Sequence, residues 1–175
     1  MIFNISRAFC VVAACAIGTT AVAQESSNRV AANTDWSVFT ETNPKECWAV
    51  SAPKETVNTK DGQTVTVRRG EILLMVFYRP GASVKGQVAF TGGYPFASGS
   101  TAGMDISGTK FELFTEGEWA WPATPEDDAK IVAAMKRGAD ATLTARSGRG
   151  TQTSDRFSLL GFTAAEEEAS KRCAG

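Results

Sequence analysis

Histidine is missing from all 175 residues of this chain. Its absence removes the commonest general base, the commonest metal ligand and every Ser-His or Cys-His pairing together. Charge of one sign is missing too: 18 Lys and Arg stand against 19 Asp and Glu, a net charge of −1. So balanced a chain offers no electrostatic basis for nucleic-acid binding or for capture by an anionic membrane. No apolar run approaches the ~18 residues that a membrane-spanning helix requires. There is no strand-helix alternation and no internal repeat, which argues against a parallel sheet.

What is present is ordinary for one globular domain: 43% hydrophobic, 21% charged and 16 glycines. That length buries a proper core. The N-terminus reads as a secretory signal over residues 1–23. Arg7 supplies the positive start, Ala8 to Ile17 the apolar centre, and Ala21-Val22-Ala23 a small-residue cleavage site before Gln24. Loss of Arg7 with that leader changes the net charge from −1 to −2. A rival reading takes Val12-Ala13-Ala14-Cys15 as a lipoprotein box with Cys15 lipidated, which leaves a very short apolar centre.

Four cysteines occur, and cleavage leaves Cys47 and Cys173. An even count in an oxidising compartment predicts a disulfide that closes nearly the whole domain. A loop this long is worth about 5 kcal/mol on the chain-entropy account. No third cysteine, histidine or C-x-x-C supports a metal or redox role.

Residues 24–34 are polar and unpatterned and predict a flexible tail before one β-rich domain over 35–175. Period-2 segments then recur, with turn signals about every ten residues. Asp61-Gly62 marks a hairpin, and Ile72 to Tyr78 reads as a central strand covered on both faces. The expected fold is mainly β, an antiparallel sandwich or barrel-like domain with two short helices at about 125–137 and 163–173. The first helix is opened by Thr124-Pro125-Glu126-Asp127 and striped by Ile131, Val132 and Met135. The second has Thr163 and Glu166 spaced as a capping box and places Phe162, Ala165, Ala169 and Cys173 on one face. Glu166, Glu167 and Glu168 are then expected to form a solvated first turn.

Chemical motifs are few. Ser51-Ala52-Pro53-Lys54 matches the S-x-x-K nucleophile pattern, but Pro53 denies it the helix that the pattern needs. Glu116 and Glu118 are spaced like a carboxylate pair yet read as a hairpin tip. Gly92-Gly93 and Gly148-Arg149-Gly150 lack phosphate-loop spacing. Catalytic residues, metal ligands and cofactors are therefore not expected. The one site-like constellation is aromatic. Trp119 and Trp121 face the same way on a strand, and Tyr94-Pro95-Phe96 adds a second aromatic loop. Exposed together, these would stack on sugars or anchor a protein partner; buried, they would cap one end of the sandwich.

From Trp36 to Cys173 the chain resembles the invasion-associated locus B family of secreted and periplasmic proteins of Gram-negative bacteria. The likeness rests on the leader, on Trp36 followed by Cys47-Trp48-Ala49-Val50, and on Ile72-Leu73-Leu74-Met75 before Pro80-Gly81. Leu159-Leu160-Gly161-Phe162-Thr163-Ala164-Ala165 completes it. The resemblance implies an exported protein, linked in pathogens to host-cell entry and lacking a catalytic set. The expected partner is a protein or envelope component, or alternatively a glycan. One departure is visible: where relatives are expected to carry further cysteines, this chain has Ser98, Gly99 and Gly103.

Overall fold

The computed structural model describes residues 28–174, so the expected signal peptide and Cys15 lie outside the described residues. Among the described residues twelve strands form one antiparallel sheet. They are β1 (Arg29–Asn33), β2 (Trp36–Thr42), β3 (Lys45–Ser51), β4 (Glu55–Lys60), β5 (Gln63–Thr64) and β6 (Leu73–Arg79), then β7 (Val84–Thr91), β8 (Thr101–Ile106), β9 (Thr109–Glu116), β10 (Trp119–Trp121), β11 (Asp140–Arg146) and β12 (Gln152–Ser158). Their order across the sheet is β1-β2-β3-β6-β7-β10-β9-β8-β11-β12-β4-β5. The margins β1 and β5 do not join, so this is no closed barrel. The sheet doubles over into a sandwich-like body instead. Trp36 on β2 donates Nε1–H to the Ser158 carbonyl on β12 at 3.0 Å, and Phe90 on β7 meets Phe157 on β12 edge to face at 6.2 Å.

Alternation explains which side is inside. On β3, Cys47, Ala49 and Ser51 are buried while Trp48 and Val50 are half-buried on the opposite face. Leu74, Val76 and Tyr78 do the same on β6, whose interior place in the sheet agrees with its apolar sequence. Its other face, expected to be covered as well, is instead an outer one on which Leu73 and Phe77 are only half-buried. The Asp61-Gly62 turn joins β4 to β5 with Lys60 opposite Gln63, as the sequence predicts.

Residues 29–33, expected within a flexible tail, are instead strand β1. Its backbone pairs with β2 from Arg29↔Phe39 to Asn33↔Trp36, and half-buried Val30 and Ala31 pack against the core. Main-chain pairing of this kind leaves no alternating apolar signature to read.

Helix α1 (Pro125–Met135) is capped by the Thr124 hydroxyl, which accepts from Asp127 N, and buries Ile131, Ala134 and Met135. It stops two residues short of the expected end. Helix α2 (Phe162–Cys173) lays Phe162, Ala165, Ala169 and Cys173 inward, as its stripe predicts, and Cys173 bonds to Cys47. The expected capping box does not form. Gly161 is the N-cap, in the left-handed region at φ 88°, with no side-chain cap, and Thr163 lies exposed inside the first turn. Glu166 points into the protein rather than to solvent.

Candidate functional site

Trp119 and Trp121 alternate on β10 with buried Ala120 between them, so both indoles face outward. Their rings lie 6.3 Å apart, inclined by 19°. Residues directly opposite across antiparallel strands share a face, which extends this surface in both directions. Trp121 opposes Phe114 on β9, which is 56% exposed, and Trp119 opposes Thr91, itself opposite Leu73. Along the same face of β6, Met75 and Phe77 follow Leu73; Thr91 and Met75 are buried there, and Leu73 and Phe77 half-buried. Phe77 leads into an aromatic row in which Trp48 stacks on Phe39 at 5.6 Å and meets Phe77 at 6.1 Å. Arg79 ends that row over the Phe77 ring, 4.4 Å from its centre, and its Nε lies 3.3 Å from Glu46. One outer face of the sandwich is thus apolar and aromatic where polar residues are the norm. Only the β10 pair was legible beforehand. Phe39, Trp48 and Phe77 come together through strand pairing between distant segments.

The expected aromatic set does not stay together. Phe96 is 8% exposed and belongs to the core, 6.0 Å from Phe90. Tyr94 stands edge-on to Phe96 at 5.2 Å and shares a hydrogen bond with Thr153 on the inner face of β12. Neither extends the Trp119–Trp121 surface.

Tyr94 lines a different feature, a cleft of about 540 Å³ at one end of the sandwich. Three connections build it: residues 65–70 after β5, 92–95 after β7, and 147–151 between β11 and β12. Gly70 N donates to the Gly93 carbonyl at 2.9 Å, and a Cβ on Gly93 would fall 2.6 Å from Gly70 O. Only glycine permits that approach, since Gly93 also adopts φ 71°. Gly148 N donates to Pro95 O at 3.0 Å, tying the third connection to the second.

Arg69 forms the floor of this cleft. Its guanidinium grips Asp155 with two hydrogen bonds of 2.8 and 2.6 Å, and both side chains are essentially buried. Nε–H donates to Gly92 O and Nη1 to Asn58 Oδ1, while the cation lies 5.0 Å from the Tyr94 ring centre. Burial pushes the Tyr94 phenol up. Residues 69 and 155 are 86 apart, and neither carried a signal in the sequence. Arg68 and Arg149 stand exposed on the rim, together with Glu118.

A second buried polar group joins α2 to the sheet. Tyr78 donates its hydroxyl to Glu166 Oε1, and Lys136 Nζ lies 2.6 Å from Glu166 Oε2. Loss of water, reinforced by the Glu166 carboxylate, pushes the Tyr78 phenol well up. Burial and the Glu166 carboxylate together hold the tyrosine proton in place, so this is a structural clamp.

The weaker motifs resolve simply. Ser51 ends β3 and donates to Asp35 O at 2.7 Å, while Lys54 pairs with the Asp35 carboxylate. Glu116 ends β9 and Glu118 sits in the two-residue turn before Trp119. Among the described residues no cluster of acids and cysteines is arranged to hold a metal, and no helix is long and apolar enough to cross a membrane.

A family model described as invasion associated locus B (IalB) protein matches residues 36–170. No curated protein and no solved structure matches the chain.

Proposed function

The chain belongs to the invasion associated locus B family, and on that premise we propose that it is an exported, non-enzymatic module acting through contacts with a protein or other envelope component. The outward aromatic face carries this reading: two stacked indoles beside Phe114, continuous with the Phe39–Trp48–Phe77 row. Outward aromatics of this kind, with Phe114 56% exposed and both indoles half-buried, mark an interaction surface, because large aromatics supply most of the binding energy at protein contacts. Export is supported by the Cys47–Cys173 bridge, which persists in oxidising compartments. Absence of an enzymatic role is supported by the way polar groups are used. Asp155 is held by Arg69 and Glu166 by Tyr78 and Lys136, leaving neither poised for a substrate.

The test is site-specific crosslinking in intact cells. A photoreactive phenylalanine analogue replacing Phe114 is expected to capture a discrete envelope partner, while the same analogue at exposed Val57 on β4 is not. Equal capture from both positions, or none, overturns the reading. The near-parallel indoles also favour a second one, a carbohydrate-binding surface. Glycan-array binding that disappears in Trp119→Ala and Trp121→Ala would replace the protein-contact reading with that one.

A further inference from the structure

The cleft at the end of the sandwich has a chemistry of its own. Its floor is fixed before any ligand arrives, because Asp155, Gly92 and Asn58 engage four of the five N–H donors of Arg69. Hydrogen bonds from Gly70 to Gly93, Gly148 to Pro95 and Phe96 to Gly117 tie the surrounding connections together. Arg68 enters the rim from one connection and Arg149 from another, and neither is paired with a carboxylate among the described residues. Against these two cations stands one acid, Glu118. Val67, Tyr94 and Pro95 add an apolar wall.

We propose that this cleft binds a tetrahedral oxyanion, a phosphate or sulfate group, with Arg68 and Arg149 as its two ligating side chains. Guanidinium groups from separate walls suit a tetrahedral anion, which presents acceptor oxygens in more than one plane; a planar carboxylate satisfies one fork at a time. A doubly charged group also outweighs the repulsion from Glu118. The fixed floor lowers the ordering cost of binding, since little besides the two rim side chains must be immobilised. Glu118 on the rim directly precedes Trp119, but neither Trp119 nor Trp121 lines the cleft, so the two readings fail separately.

Calorimetric titration of the oxidised, leaderless protein at low ionic strength tests it, with inorganic phosphate and glucose 6-phosphate as probes. Saturable binding is expected, weakening as salt is added. Arg68→Gln combined with Arg149→Gln should reduce affinity by roughly tenfold or more, the scale of a lost charge-assisted hydrogen bond, with the melting temperature unchanged. Glu118→Gln should tighten binding, and Trp119→Ala should leave it unaltered. Tighter binding of the sugar ester than of the free ion would assign a ligand carried against the Tyr94 wall; equal binding would assign the free ion. No saturable binding by either probe, or an undiminished affinity in the double arginine variant, overturns the proposal.

Discussion

Asp128 shows how one buried side chain ties helix α1 to the sheet. Its Oδ1 accepts from Val88 N at 2.8 Å, on a stretch of β7 beyond the register of the short strand β10. Burial pushes the carboxyl up to about 6, the Val88 amide pulls it back in part, and the charge on Asp127 adds to the rise. A folded-state value above the unfolded 3.8 means that the native protein holds this proton more tightly. The resulting stabilisation is complete below the unfolded value and is lost as pH rises through about 6. The ion pairs have the opposite sign. Lys54 lowers Asp35, Arg156 lowers Glu55 and Lys130 lowers Asp127, so their contributions fade in acid. Asp128→Asn separates the two effects, because the ion pairs are common to both proteins. The melting-temperature advantage of the wild type over Asp128→Asn should be largest near pH 4 and shrink towards pH 7. Parallel melting curves across that range would contradict this account.

At the scale of elements, the junction of β1, β12 and α2 is where sequence reading and structure part most clearly. Thr163 and Glu166 carry correct capping-box spacing, a local signal, yet Tyr78 on β6 and Lys136 after α1 draw Glu166 inward. Those partners lie 88 and 30 residues away, beyond the reach of any local pattern. Gly161 starts the helix instead, and the same residue meets β1. A Cβ there would fall 2.0 Å from Asn33 O. Gly161→Ala therefore combines a left-handed backbone with a steric clash, and roughly 2–4 kcal/mol of destabilisation is expected. Urea denaturation measures it directly; a cost under about 0.5 kcal/mol, the ordinary range of surface changes, would show that β1 simply moves aside. Elements that depend on their own residues were legible: the Thr124-Pro125 start of α1, the Asp61-Gly62 hairpin and the apolar run of β6. Those that depend on pairing were not. Strand β1 is specified by β2, and the Arg69 floor of the cleft is specified by Asp155 at 86 residues' distance.

For the molecule as a whole, the sulfur bridge links β3 to the end of α2 across 126 residues of sequence. On the chain-entropy account a loop of this length stabilises by about 5 kcal/mol, by limiting the unfolded chain. Reduction with dithiothreitol should lower the melting temperature substantially, and a chelator should not. An unchanged melting temperature after verified reduction would show that sheet and helix packing suffice without it. The pairing could be read from cysteine number and the expected leader, whereas the doubled-over sheet order could not, since it rests on contacts such as Trp36 with Ser158.

The bridge also changes what a protease can accomplish. Ser107-Gly108 forms an exposed tip between β8 and β9, open to attack. A single nick there, or at any turn between residues 47 and 173, leaves both fragments covalently joined and still hydrogen-bonded across the shared sheet. Such a protein outlasts its first cut as one particle, and its two halves come apart only when thiol and denaturant act together.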